Sequence, residues 1–141
     1  MRNQLLSLAI LVATTTGCAT IVRGTSQTVQ VVVTYNLPPE VAATDIRLFI
    51  GQNEVPVGGG PITVRRSGAS LTVKAHCTRQ GYQVVVAPTR IKPVLDEDTF
   101  SADLILLPLL FPLIVDMVTG AWWNYPDPLN LSVTVTPLHR R

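Results

Sequence analysis

Hydrophobic and polar residues alternate along six separate stretches of this chain. In the first stretch, Val29, Val31, Val33 and Tyr35 occupy every second position, and most of the positions between them are polar. Because successive side chains of a β-strand point to opposite faces, this pattern predicts a half-buried strand. The inward residues predicted for the five other stretches are Ile46, Leu48 and Ile50; Ile62 and Val64; Leu71, Val73, Ala75 and Cys77; Tyr82, Val84 and Val86; and Leu129, Leu131, Val133 and Val135.

Turn-forming residues separate these stretches. Pro38-Pro39 follows the first, Gly51 follows the second, and Ser67-Gly68 precedes the fourth. No long amphipathic helix interrupts the first five stretches. Many short strands joined by turns are typical of two packed antiparallel sheets. The sequence therefore predicts a mainly β fold, a small antiparallel β-sandwich of about six strands.

The longest apolar stretch of the mature chain precedes the last predicted strand. Residues 104–115 contain no charged side chain and two prolines. As a helix they would be about 18 Å long, shorter than the ~30 Å hydrocarbon core of a bilayer. Each proline also removes one helical hydrogen bond. We therefore predict one apolar broken helix or hairpin, residues 104–119, before the last strand.

Two interpretations of this apolar segment remain open. Its leucines form core over one face of the sandwich, or the segment contacts a membrane or a protein partner. In the second interpretation the aromatic residues that follow it lie at the polar boundary, where such rings concentrate. The residues assigned to that contact are Leu106, Leu109, Leu110, Phe111, Trp122 and Trp123.

The first residues have the order of a secretory signal. Arg2 supplies a positive charge, residues 5–13 form an apolar core, and small residues follow up to Cys18. A core of this length is too short to cross a bilayer, which needs about 20 apolar residues. We expect residues 1–17 to be a signal peptide that is removed.

The end of this signal, Thr16-Gly17-Cys18, resembles the lipobox of bacterial lipoproteins, with Thr15 where that family usually has Leu. The resemblance implies cleavage before Cys18, a diacylglycerol on its thiol and an acyl chain on the new amino group. Two or three acyl chains hold a protein to a bilayer far more firmly than one. Ala19 after the cysteine implies export to the outer membrane. Residues 18–26 are then the lipidated cysteine and its tether.

Length, charge and cysteine content limit the remaining choices. Residues 27–141 suit a single β-sandwich domain with its own core. The formal net charge of the chain is +2, and without a basic stripe we expect no nucleic-acid partner. Lipidation of Cys18 would leave Cys77 with no intrachain disulfide partner, so stability must come from packing.

Several stretches of the mature chain resemble small bacterial lipoproteins with a PEGA-like β-sandwich. The matching features are the glycine-rich turn at residues 58–62, the Gly81-Tyr82 pair and the Asp-x-x-Thr-Gly-Ala sequence at residues 116–121. The resemblance covers most of the mature chain. It implies a β-sandwich on the periplasmic face of the outer membrane and does not imply a reaction.

Residues that could carry catalysis or bind a metal are few. His76 and Cys77 are neighbours on a predicted strand, so they point to opposite faces and cannot act as base and nucleophile. The acidic run at residues 96–98 lacks the spaced oxygen ligands of a calcium loop. The pair Arg65-Arg66 is too small for a polyanion patch. We predict no catalytic residue, no metal site and no cofactor other than the acyl chains on Cys18.

These observations predict a non-enzymatic, lipid-anchored envelope protein. Its role would be that of a structural or accessory component of an outer-membrane or periplasmic assembly, with a membrane contact through the anchor and an envelope protein as partner. The alternative is an anchored binding module that holds a small lipid or peptide between the sandwich and the apolar segment.

Overall fold

The computed structural model of the protein describes residues 24–98, 100, 101 and 111–138, with the backbone alone at 111–113. These residues fall into two compact units. The sandwich unit comprises residues 28–64, 69–93 and 125–138, and the helical unit comprises residues 24–27, 65–68, 94–98, 100, 101 and 111–124. The single domain predicted for residues 27–141 stays a prediction.

The described residues form ten strands. They are β1 (Ser26–Asn36), β2 (Ile46–Ile50), β3 (Asn53–Val55), β4 (Gly59–Arg65), β5 (Leu71–Cys77), β6 (Tyr82–Ala87), β7 (Arg90–Ile91), β8 (Val94–Leu95), β9 (Trp123–Asn124) and β10 (Leu129–Pro137). The six predicted strands correspond to β1, β2, β4, β5, β6 and β10. The four others have two or three residues each, too few to show an alternating pattern.

Two four-stranded sheets confirm the predicted mainly β fold and its sandwich. The first sheet has the order β4-β1-β10-β6 and the second has the order β3-β2-β5-β7. One pairing differs from a wholly antiparallel arrangement, because β1 and β10 run parallel with Val31 opposite Leu129. Hairpins join only antiparallel neighbours, and these two strands are separated by most of the chain, so no turn fixes their direction.

The inward residues of both sheets form one shared core. Val29 and Val133 from the first sheet, and Leu48 and Ile50 from the second, are at most 1 % exposed. Burying each such side chain is worth about 1.5–3 kcal/mol. Cys77, predicted to face inward, is a buried free cysteine in this core. The alternation in the sequence therefore identifies the core correctly.

The predicted glycine-rich turn leads into β4. Gly59, the first residue of that strand, has a φ of 95°. A Cβ at this position would overlap the carbonyl oxygen of Val31 on β1. Close approach of the two backbones therefore requires glycine at this point.

The helical unit contains a two-stranded sheet and a helix. β8 and β9 pair antiparallel, with Leu95 opposite Trp123. Helix α1 spans Phe111–Thr119, which is the described part of the broken helix or hairpin predicted for residues 104–119; residues 104–110 lie outside the described residues. Among the described residues, no helix is long and apolar enough to cross a membrane.

The end of α1 is closed by glycine. Gly120 has a φ of 75°, and its N–H donates to the carbonyl oxygen of Asp116 at 3.0 Å. The N–H of Ala121 donates to the same oxygen at 3.2 Å. A left-handed glycine that turns the chain in this way is a common helix C-terminus. The Thr-Gly-Ala part of the 116–121 sequence is thus the stop signal of α1.

Candidate functional site

The structure describes only part of the predicted site. Phe111 is the first described residue of α1, with no side chain described, and Trp122 and Trp123 follow that helix. The other residues predicted to carry the anchor or the contact lie outside the described residues: Cys18, Leu106, Leu109 and Leu110. The predicted contact of these residues with a membrane or partner stays a prediction.

Trp122 forms the centre of a small apolar cluster in the helical unit. It is 8 % exposed and packs edge-to-face against Phe100, with ring centroids 5.2 Å apart. Ala121 and Leu95 complete the cluster. Since so little of the indole reaches the surface, Trp122 stabilises this unit and offers little area for contact with a membrane.

Trp123 is half-buried on β9, and its ring lies over Gly68. A Cβ at Gly68 would come within 3.1 Å of the indole. The carbonyl oxygen of Trp123 accepts a hydrogen bond from the guanidinium of Arg66 at 3.3 Å. The backbone of Trp123 is therefore fixed by the hydrogen bond from Arg66, and one side of its indole packs against Gly68.

Arg66 connects three segments of the helical unit. Its Nη1 donates to Oδ1 of Asn124 on β9, and its Nε donates to the carbonyl oxygen of Ser26 at 3.2 Å. The backbone N–H of Arg66 donates to the carbonyl oxygen of Thr25 at 2.9 Å. Asn124 in turn donates through Nδ2 to Oδ2 of Asp96 at 2.6 Å. We call Arg66, Asn124 and Asp96 the arginine network.

The arginine network gives structural roles to residues that the sequence placed in unrelated groups. Asp96 belongs to the acidic run 96–98, and Arg66 belongs to the Arg65-Arg66 pair. Both engage part-buried hydrogen bonds, whereas Arg65, Glu97 and Asp98 are exposed. The network fixes the backbone at Thr25 and Ser26, where the predicted tether enters β1.

Helix α1 has its charged residue inside and apolar residues outside. Asp116 is fully buried, whereas Ile114, Met117 and Val118 are 53 %, 60 % and 76 % exposed. With 3.6 residues per turn, these three lie within about 100° of the helix circumference. Asp116 lies on the opposite side. We call Ile114, Met117 and Val118 the apolar face; their spacing of three and four residues is typical of one side of a helix, but it does not by itself show which side is exposed.

The described candidates for chemistry lie apart. His76 is exposed and Cys77 is buried, as expected for neighbours on one strand. No group of three or more His, Cys, Asp or Glu side chains among the described residues could hold a metal ion.

An exposed ion pair joins two strands of the second sheet. Arg47 on β2 donates through Nε and Nη2 to the two carboxylate oxygens of Glu54 on β3, at 2.8 and 2.9 Å. These hydrogen bonds hold the pKa of Glu54 below its ordinary value and raise the pKa of Arg47. The guanidinium also lies 5.4 Å from the centre of the Phe49 ring. Each charge is hydrogen-bonded by the other. We therefore assign the pair a structural role, as a surface contact between β2 and β3.

The sandwich unit carries shallow open grooves. One, of about 510 Å³, is lined by apolar residues of β7 and β10, Ile91 and Leu129 among them, with Arg90 and Lys92 also in its lining. Another of the same volume lies beside the ion pair of Arg47 and Glu54. An apolar floor with positive charges suits a ligand that combines an apolar group with an acid.

Comparison with known proteins leaves the family open. No protein-family model matches the chain, and neither a curated protein nor a solved structure matches it. The resemblance to PEGA-like lipoproteins therefore stays a prediction.

Proposed function

We propose that this chain is a non-enzymatic lipoprotein of the outer membrane, held by acyl chains on Cys18. The observation that carries the proposal is the order of the first residues, in which an apolar core ends on Thr16-Gly17-Cys18. β1 begins at Ser26, the last residue of the candidate tether. This order supports a folded domain attached by a short N-terminal linker.

The geometry around the tether supports an anchoring role. Thr25 and Ser26 are bound by Arg66 through two hydrogen bonds to their carbonyl oxygens. These hydrogen bonds attach the end of the tether directly to the helical unit. This attachment suits a protein that stays at a surface while other components bind it.

An accessory role in an assembly requires a surface for a protein partner. Among the described strands, β6 pairs only with β10 and forms one edge of the first sheet. An edge strand offers unpaired backbone groups that can bind an added strand. Val85 on β6 is 52 % exposed and adds an apolar side chain to this edge. These features support contact with an envelope protein through the sheet edge.

The anchor is tested by metabolic labelling with a palmitate analogue. We expect the parent chain to be labelled and Cys18→Ala to be unlabelled and unprocessed. Cys77→Ala is the matched control and should keep the label, because Cys77 is buried in the core. Labelling that survives Cys18→Ala would overturn the proposal.

A second candidate function is favoured by the groove beside Arg90 and Lys92. In this alternative the anchored protein binds a small lipid or peptide, with an apolar part against Leu129 and an acidic part near the two cations. Mass spectrometry of the purified protein distinguishes the two functions. A ligand binder retains a bound lipid or peptide that Arg90→Ala loses, whereas an assembly component yields protein cross-links in cells and no retained ligand.

A further inference from the structure

We propose that the apolar face of α1 lies in the same bilayer that holds the acyl chains of Cys18. This inference rests on the proposed lipid anchor and adds a second, non-covalent membrane contact to it. The occupant is the lipid surface itself, and the contact residues are Ile114, Met117 and Val118.

The exposure of these three side chains is the first support. They share one side of α1 and are each more than half exposed, with Val118 at 76 %. Exposed hydrocarbon at this density on one helix side typically marks a binding surface. Asp116 takes the buried side, so no charge on α1 opposes contact with hydrocarbon.

The length of the tether is the second support. Gly24 is the first described residue and belongs to the same compact unit as α1. Cys18 precedes it by six residues, which can span at most about 20 Å. An acylated Cys18 would keep Gly24 within that distance of the bilayer surface. A weak apolar contact then forms at high effective concentration, since the anchor has already brought the unit to the membrane.

The composition of the helix specifies how it binds. Helix α1, Phe111–Thr119, contains neither Lys nor Arg. Membrane-surface helices that depend on anionic lipids carry basic residues on their polar side. The contact of α1 is therefore apolar, and it does not require acidic headgroups or low salt.

A fluorescent probe at Val118 tests the contact. The full, lipidated chain carries Val118→Cys in a Cys77→Ala background, is labelled with the polarity-sensitive dye NBD, and is reconstituted into phosphatidylethanolamine–phosphatidylglycerol vesicles. We expect a blue-shifted emission that doxyl-labelled lipids quench by more than half. Exposed Glu97→Cys, labelled in the same way, is the matched position and should be neither shifted nor quenched.

Two further variants separate the apolar face from general effects. Ile114→Gln with Met117→Gln should abolish the quenching at position 118, because it removes the neighbouring hydrocarbon and keeps good helix formers. Val32→Gln with Val57→Gln removes comparable exposed valines of the sandwich unit and should leave the quenching unchanged. Replacing phosphatidylglycerol by phosphatidylcholine should also leave it unchanged.

The outcomes distinguish this inference from the anchor. A palmitate-labelled protein whose probe at 118 behaves like the probe at 97 overturns the apolar contact and leaves the anchor intact. Shielding of the probe in cells but not in protein-free vesicles also overturns it, because the face would then bind a protein. A protein that carries no palmitate label overturns the proposed lipid anchor itself.

Discussion

Asp116 and Val118 lie two residues apart on α1, yet Asp116 is fully buried and Val118 is 76 % exposed. This arrangement reverses the usual placement of a carboxylate and a hydrocarbon side chain. No buried side-chain nitrogen or oxygen among the described residues lacks a hydrogen-bond partner, so the Asp116 carboxylate is hydrogen-bonded. The buried, hydrogen-bonded carboxylate thus lies on the inner side of α1, and the apolar face lies on the outer side.

The first prediction compares the two residues. We expect Asp116→Ala to lower the free energy of unfolding by about 3 kcal/mol, because it removes the hydrogen bonds of a fully buried carboxylate. Val118→Gln should change it by less than about 0.5 kcal/mol, since the site is exposed. Urea unfolding of each variant, followed by tryptophan fluorescence, measures both values. Equal costs would contradict this account of α1.

The second prediction concerns the arginine network. Arg66→Ala should cost about 2 kcal/mol, because the guanidinium donates hydrogen bonds to Asn124, Trp123 and Ser26. The neighbouring Arg65 is exposed, and Arg65→Ala should cost less than about 0.5 kcal/mol. Denaturant unfolding of the two variants provides the comparison. If Arg65→Ala proved as costly as Arg66→Ala, net charge rather than hydrogen bonding would be the cause.

The third prediction separates backbone strain from steric overlap. Gly120 and Gly81 both have positive φ, 75° and 86°. A Cβ at Gly120 would lie 2.7 Å from the carbonyl oxygen of Arg66, whereas a Cβ at Gly81 meets nothing within 4 Å. Gly81→Ala should therefore cost about 1 kcal/mol for the left-handed conformation alone. Gly120→Ala should cost at least about 2 kcal/mol, because the overlap adds to that strain. Thermal unfolding midpoints in the opposite order would exclude the overlap.

The fourth prediction is a pH dependence. Hydrogen bonds from Arg47 hold the pKa of Glu54 below its ordinary value of 4.5, so the folded protein binds fewer protons than the unfolded chain in mild acid. The stabilising contribution of Glu54 is therefore complete above that value and disappears as the pH falls through it toward the lower folded pKa. Both side chains are about half exposed, so the effect is small.

Glu54→Gln tests this sign. The parent should be slightly more stable than Glu54→Gln at about pH 7, and this difference should decrease as the pH falls below 4.5, measured by urea unfolding. Added salt should reduce the difference at neutral pH, because the pair is exposed to solvent. A difference that increases in acid would contradict the lowered pKa.

Local periodicity accounts for the part of the fold that the sequence predicted. Alternation in β1 or β10 extends over many residues, and burial of one side repeats at every second position, as Leu129, Leu131 and Val133 show. β7 and β9 contain two residues each, and no period can be read from them. The parallel pairing of Val31 with Leu129 is a contact between distant residues, which local patterns do not contain.

The hydrogen bonds of the arginine network also join residues that are distant in the sequence. Arg66 and Asn124 are 58 residues apart, and Asn124 and Asp96 are 28 apart, so the arginine network exists only after folding. The apolar run predicted a broken helix or hairpin before the last strand. It did not indicate that Asp116, at the edge of that run, would turn inward and leave Ile114 and Val118 at the surface.

The central position of β10 sets the order in which the chain can complete its fold. Among the described strands, β1 is synthesised first, and β10, which lies between β1 and β6, is synthesised last. Until Leu129–Pro137 has been made, the first sheet lacks its middle strand, and β1 and β6 cannot be joined. Such long-range pairing forms slowly. A chain that stops before residue 129 therefore lacks the strand that joins β1 to β6, and we expect its first sheet to stay incomplete, whereas the second sheet contains no residue beyond Ile91.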